Sequence, residues 1–185
     1  MIVAIYVFQA GNIVFEGEDS PTEMQCEIKG VDTMAKKTEI PTTLTGEQQE
    51  LLNAETLVLL STVDAETKIP TVNAISWVKA PSESKIRFSV SASSRIVANV
   101  KDNPGVTLCV IGLETVYSIV GKGTILTEKL EGVAMPLANI EVDISAIHES
   151  MFWGAKIVQE PTFEKTYDLE KAKALDEQVY AAMLK

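Results

Sequence analysis

The sequence predicts a mainly β protein, a small antiparallel β-barrel with peripheral helices. Two observations predict this class: β-rich segments joined by short turns follow one another through the middle of the chain, and helical patterns occur only before, between and after them. Hydrophobic residues make up 46% of the 185 residues, which is enough for a folded core rather than an intrinsically disordered chain.

Six segments are predicted to be strands because they combine β-branched and apolar residues with turn residues at their ends. They comprise residues 56–63, 69–79, 85–90, 106–111, 115–127 and 140–144. Residues 64–68 form the first hairpin turn, and residues 80–84, which include Pro81, form the second. Gly121 and Gly123 predict a bulge or a sharp coil in the fifth strand, as a barrel requires.

Two of the predicted helices flank the strands. Thr45 and Gln48 match a capping box, which predicts a helix over residues 47–53. Asp168 is the predicted N-cap of a last helix over residues 169–184. The predicted core face of that helix consists of Leu169, Ala172, Leu175, Val179 and Met183.

The beginning of the chain differs from the rest. It lacks a sustained period of 2 or 3.6, and Met34-Ala35-Lys36-Lys37 resembles the start of a bacterial protein. We therefore expect residues 1–40 to be an N-terminal extension that is not native or is poorly structured, followed by a folded domain over residues 41–185. The alternative is a real hairpin that pairs residues 2–8 with residues 13–15.

Charge and composition exclude several classes of function. The formal net charge of −10 argues against binding to nucleic acid or to an anionic membrane, but not against a small anionic ligand. The two cysteines, Cys26 and Cys109, are too few and too far apart for a disulfide framework. The apolar start of the chain is too short for a signal peptide or a membrane span. We therefore expect a cytoplasmic protein. The single histidine, His148, argues by ligand count against a zinc or haem centre.

One run of residues carries the groups that bind a phosphate. Ser91-Ala92-Ser93-Ser94-Arg95 leaves a predicted strand and enters a predicted helix that ends near Asp102, before Pro104. Three hydroxyls, a guanidinium and the free N–H groups of a helix start suit a phosphate. The alternative is a pair of capping serines followed by a surface arginine, and the spacing alone leaves both interpretations open.

The surroundings of this run resemble the FMN-binding split-barrel proteins related to pyridoxamine 5'-phosphate oxidase. In that family a strand leads to Ser-Arg-Lys at a helix start, the helix closes with Asn-Pro, and a core strand follows. Here residues 85–90 lead to Ser94-Arg95, and Asn103-Pro104 precedes the next strand. The hairpin over residues 58–79 and the long strand over residues 113–123 also resemble the family pattern.

The resemblance implies a six-stranded split barrel, an FMN cofactor, and a homodimer with flavin sites at its interface. Ser94 and Arg95, with Ser91 beside them, match the ribityl-phosphate end of the flavin site. Asn73 and Ser76 lie on the strand that is expected to run along the isoalloxazine ring. Lys122 either reaches a phosphate or a substrate carboxylate or is a solvated strand end.

Departures from the family pattern leave three interpretations of function. Ile96 replaces the lysine that binds the phosphate in the family, and Asn73 stands near the position of an arginine in the family's first strand. Val116 replaces a glutamine of the family's long strand, and the C-terminal Arg-x-His of the oxidase has no counterpart here. These departures argue against pyridoxamine 5'-phosphate oxidase activity itself. The chain is then a flavin-dependent oxidoreductase acting on an unidentified small molecule, a non-catalytic flavin or cofactor-binding module, or an interaction protein without a ligand.

Two aromatic features have open roles. Trp77 either stacks on the flavin or fills the barrel. Residues 151–156, Met-Phe-Trp-Gly-Ala-Lys, roof the flavin pocket, pack across a dimer contact or cover the barrel end.

Overall fold

Seven antiparallel strands and three helices form the part of the chain that the structure, a computed structural model, describes: residues 39–166 and 168–185. The elements are α1 (Gly46–Asn53), β1 (Val58–Val63), β2 (Pro70–Ile75), β3 (Val78–Ser82), β4 (Lys85–Ser91), α2 (Arg95–Asp102), β5 (Gly105–Gly112), β6 (Thr115–Thr127), β7 (Leu137–Glu149) and α3 (Leu169–Met183). The expectations for residues 1–40 and Cys26 lie outside the described residues, apart from residues 39 and 40.

The strands form one sheet in the order β2-β1-β5-β6-β7-β4-β3. The strands at its two edges, β2 and β3, are separated in the chain only by Ser76 and Trp77, so the sheet rolls up until its edges meet at this dipeptide. Val78 N donates to Ser76 O over 2.9 Å, a tight turn that interrupts the strand. The predicted barrel is confirmed, and the strand predicted over residues 69–79 is divided in two.

Two apolar clusters hold this arrangement together. The larger fills the barrel, where inward-facing residues such as Leu60, Phe88 and Leu108 are fully buried. The smaller lies beneath α3 and contains Val179 and Met183. The predicted core face of α3 is confirmed except at Leu169, which is 65% exposed and lines an open cavity instead.

The predicted helix starts are also present. In α1, Gln48 N donates to Thr45 Oγ1 over 3.2 Å and Thr45 N donates to Gln48 Oε1 over 2.9 Å, which is the expected capping box. Asp168 accepts from two backbone N–H groups at the start of α3. Among the described helices, none combines the length and the apolar composition that crossing a bilayer would require.

Both long strands, β6 and β7, bend around the barrel at a bulge. Their register shifts between Val120 and Gly121, so the predicted bulge is confirmed. A Cβ atom on Gly121 would lie 2.5 Å from the carbonyl oxygen of Asp143, so only glycine allows the two backbones to approach this closely.

Candidate phosphate-binding corner

The predicted run forms a corner between a strand and a helix. Ser91 ends β4, and Arg95 begins α2. The hydroxyls of Ser91 and Ser93 are exposed and lie 3.0 Å apart, while Ser94 Oγ accepts from Ile96 N over 3.2 Å as the N-cap of α2. The Arg95 side chain is 76% exposed. We call residues 91–95 the corner; its accessible hydroxyls and guanidinium are donors suited to a phosphate dianion.

Sequence reasoning missed the partner of Arg95. Its guanidinium donates from Nη2 to Oδ2 of Asp64, which follows β1 and whose side chain is only 3% exposed. The other oxygen, Oδ1, accepts from Thr67 N over 2.9 Å, from Thr67 Oγ1 over 2.9 Å and from Glu66 N over 3.2 Å. The spacing Asp-x-x-Thr in a turn is the available sequence signal for an acid that caps its own loop.

The surroundings of Asp64 stabilise its charged form. Its hydrogen bond from the Thr67 backbone, followed by the bond from Arg95, holds the pKa of this carboxyl well below its usual range. In turn, the carboxylate raises the pKa of the Arg95 guanidinium. The pair is therefore fully charged across the physiological range.

A buried amide fastens α2 to the turn that holds Asp64. Asn99, one turn along the helix from Arg95, accepts from Ala65 N at Oδ1 and donates from Nδ2 to Thr62 Oγ1, each over 2.9 Å. The Thr62 hydroxyl lies 3.3 Å from that of Thr71 on β2. This network fixes the backbone that carries Arg95 relative to β1 and β2.

Two other predicted residues, Asn73 and Ser76, follow β2 away from the corner. Pro70 pairs with Val63, next to Asp64, and Asn73 lies three residues further along β2, about 10 Å away at the usual rise of a strand. Asn73 is exposed on this edge strand. Ser76 is half-buried at the break between β2 and β3, where its carbonyl accepts from Val78 N and from Tyr180 Oη.

Lys122, the remaining predicted residue, is not brought to the corner. It is exposed on β6, opposite Gly105 of β5 and Asp143 of β7. Gly105 follows the C-terminal end of α2, whereas Arg95 begins that helix. Eight helical residues separate the two ends by about 12 Å.

The aromatic residues have roles that the sequence did not predict. Trp77 packs in the cluster beneath α3, outside the barrel core, and donates from Nε1 to Asp176 Oδ1 over 2.8 Å. Trp153 and Phe152 are 99% and 72% exposed, so the interpretation that residues 151–156 cover the barrel end is wrong.

The outer surface of β1, β5 and β6 carries no charge over a continuous patch of described residues. We call this patch the uncharged face; it consists of Leu59, Ser61, Thr107, Cys109, Ser118 and Val120, all half-buried. A sheet face that is exposed to solvent normally carries polar and charged side chains. This face has no charged side chain, although the whole chain has a net charge of −10. Burial raises the pKa of the Cys109 thiol, which keeps it protonated.

One cavity lies apart from the corner. Its volume is about 670 Å³, and its walls come from α1, α3 and residues 160–165. Lys165 crosses one side of it and forms ion pairs with Glu55 and Asp176.

Comparison with known proteins connects this fold to one family. The family model described as Pyridoxamine 5'-phosphate oxidase matches residues 44–180. HupZ from Group A Streptococcus is 19% identical, with 62% of this chain and 98% of that chain covered and a TM-score of 0.50. A putative pyridoxamine 5'-phosphate oxidase from Lactobacillus delbrueckii is also 19% identical, with 58% and 95% covered and a TM-score of 0.51. No curated protein has significant similarity to the sequence.

Proposed function

The chain belongs to the pyridoxamine 5'-phosphate oxidase family, and on that premise we propose that it binds FMN, with the phosphate at the corner. The observation that carries the proposal is the exposed Arg95 guanidinium at the first position of α2, in the same strand-to-helix corner as Ser91 and Ser94. A planar guanidinium and neighbouring hydroxyls together supply the donors that a phosphate dianion accepts from.

The rest of the flavin is proposed to follow β2. Because β2 is an edge strand, one of its sides has backbone N–H and C=O groups that no described strand pairs with. Asn73 lies on this strand and Ser76 directly follows it, and we propose that both contact the ring. When bound, FMN supplies hydride or electron transfer at its isoalloxazine ring. The contribution of the chain is to bind the phosphate, orient the ring and limit water, for a reaction on a small molecule.

We further propose that the protein is a homodimer whose subunits meet at the uncharged face. Two copies of a face without charge meet without electrostatic repulsion, although each chain carries a net charge of −10. Thr107 and Cys109 of β5 lie in its middle, between the residues of β1 and those of β6. A flavin site completed by a second subunit also agrees with the open surroundings of Arg95 in one chain.

A second candidate function, a non-catalytic flavin or cofactor-binding module, is favoured by Ile96. This residue stands where the resemblance places a lysine, and it is 5% exposed within the barrel core. Helix α2 therefore contributes one cationic side chain, that of Arg95, to the corner. Such a site fits a bound cofactor whose phosphate is held less tightly than in the oxidase.

Titration with FMN, followed by flavin absorbance, tests the proposal. Arg95→Ala should weaken FMN binding about tenfold or more, because a charge-assisted bond to the phosphate is lost. Lys101→Ala is the matched control, since it removes the same charge from the same helix at an exposed pair with Glu128. A chain that binds no FMN, or an Arg95→Ala chain with unchanged affinity, contradicts the proposal. Bleaching of bound flavin by NAD(P)H distinguishes the oxidoreductase from the binding module.

A further inference from the structure

The two members of the Arg95–Asp64 pair differ in how firmly they are held. Asp64 is buried, and three hydrogen bonds fix its Oδ1 within the β1–β2 turn. Arg95 is largely exposed, and a long exposed arginine ordinarily samples many rotamers. The other carboxylate oxygen, Oδ2, therefore has a fixed position in the fold, and Nη2 of Arg95 donates a hydrogen bond to it.

The pair leaves most of the arginine's donors available. A guanidinium carries five N–H groups in a planar fork, and the contact with Asp64 uses one nitrogen. Since the side chain remains 76% exposed, the other edge of the fork faces solvent. A phosphate can then be bound at that edge while the contact with Asp64 is kept.

We propose that Asp64 is a positioning residue, whose buried carboxylate holds the Arg95 guanidinium in the orientation that binds the phosphate of FMN. The inference rests on the proposed function, because it assigns a role toward the same ligand. Asp64 itself touches the arginine and the turn, and it does not touch the phosphate in this assignment. The backbone of Arg95 is also held in place, because the hydrogen bonds of Asn99 connect α2 to the same turn.

Simple electrostatics predicts the opposite of this proposal. The carboxylate places a negative charge close to the phosphate site, and Glu66 adds another nearby. If Asp64 acted only through its charge, its removal would strengthen the binding of an anion. If Asp64 positions Arg95, its removal weakens binding, because the ordering of a flexible side chain must then accompany binding. The two accounts thus differ in sign.

Paired titrations with FMN and riboflavin test the proposal, since riboflavin lacks the phosphate. Asp64→Asn keeps an oxygen for the turn and loses the charged partner of Arg95, so FMN binding should weaken about three- to tenfold while riboflavin binding stays unchanged. Combining it with Arg95→Ala should cause no loss beyond that of Arg95→Ala alone. Thr67→Val is the control for the turn, since it removes one bond to Oδ1 and leaves the Arg95 contact in place.

Each outcome bears on the inference. Equal or tighter FMN binding by Asp64→Asn overturns it, as does an equal loss for FMN and riboflavin, which would indicate a structural role. If Asp64→Asn does not fold, Asp64→Ser replaces it, because a serine hydroxyl also caps such a turn. A wild-type chain that binds neither flavin contradicts the proposed function, and the inference with it. A wild-type chain that binds FMN through Arg95 while Asp64→Asn binds normally contradicts the inference alone.

Discussion

The indole Nε1 of Trp77 donates to Oδ1 of Asp176 over 2.8 Å, and this contact joins the break between β2 and β3 to the C-terminal helix. The other carboxylate oxygen accepts from Lys165, which also pairs with Glu55 beyond α1. One largely buried acid therefore connects the barrel edge, the last helix and the segment that precedes it.

Replacing Trp77 with phenylalanine should destabilise the protein by about 1–3 kcal/mol, because a largely buried carboxylate loses a hydrogen-bond donor. The free energy of unfolding in urea measures the effect. Trp153→Phe is the control: its side chain is 99% exposed, so the change should stay within about 0.5 kcal/mol. Equal stabilities of the two variants would mean that the indole bond contributes nothing.

The sequence predicted elements whose signals are local. The capping box at Thr45 and the glycine pair at the β6 bulge depend on neighbouring residues, and both were correctly predicted. Strand β7 runs over Leu137–Glu149 although residues 140–144 were predicted. Its outer residues Leu137 and Asn139 are covered by α3, so the alternation that indicates a strand is absent there.

Other features depend on contacts between distant residues, which one sequence does not reveal. Arg95 and Asp64 lie 31 residues apart, and Trp77 and Asp176 lie 99 apart. No periodicity or spacing connects such pairs. The corner was predicted because its donors are contiguous in the chain. Lys122 was included because it follows a glycine on the long strand, but it lies near the other end of α2.

Asp64 should make the stability of the protein depend on acid pH. Its pKa is lower in the folded state than the ordinary value near 4, so its charged form favours folding above about pH 4. That contribution is lost as the pH falls toward the folded-state value. The difference in unfolding free energy between the wild type and Asp64→Asn should therefore be largest near pH 7 and shrink below pH 4.

Urea unfolding at several pH values checks this dependence. Asp102→Asn is a suitable control, since its carboxylate pairs with Lys68 at an exposed position and its removal should matter little at any pH. A constant difference between the wild type and Asp64→Asn across the range would show that Asp64 is not stabilised in its charged form.

Placing a charge on the uncharged face should dissociate the proposed dimer. Val120→Asp puts one carboxylate per subunit on that face, where the interface would bury it away from water and without a partner. Sedimentation velocity should show a dimer for the wild type and a monomer for the variant. Gln178→Glu adds the same charge on the exposed side of α3 and should leave the dimer intact. A dimeric Val120→Asp chain would place the interface elsewhere.

Gly121→Ala should destabilise the barrel by about 2–3 kcal/mol. The added methyl group would lie 2.5 Å from both the Asp143 carbonyl oxygen and a Val142 methyl, and the backbone of β7 cannot withdraw without losing its pairing with β6. Gly46→Ala is the matched control, because nothing lies within 4 Å of its added methyl group at the start of α1. That change should be neutral or should stabilise the protein by up to about 1 kcal/mol, through the reduced entropy of the unfolded chain. Thermal and urea unfolding of both variants gives the comparison, and a Gly121→Ala chain as stable as Gly46→Ala would show that β6 and β7 do not approach each other this closely.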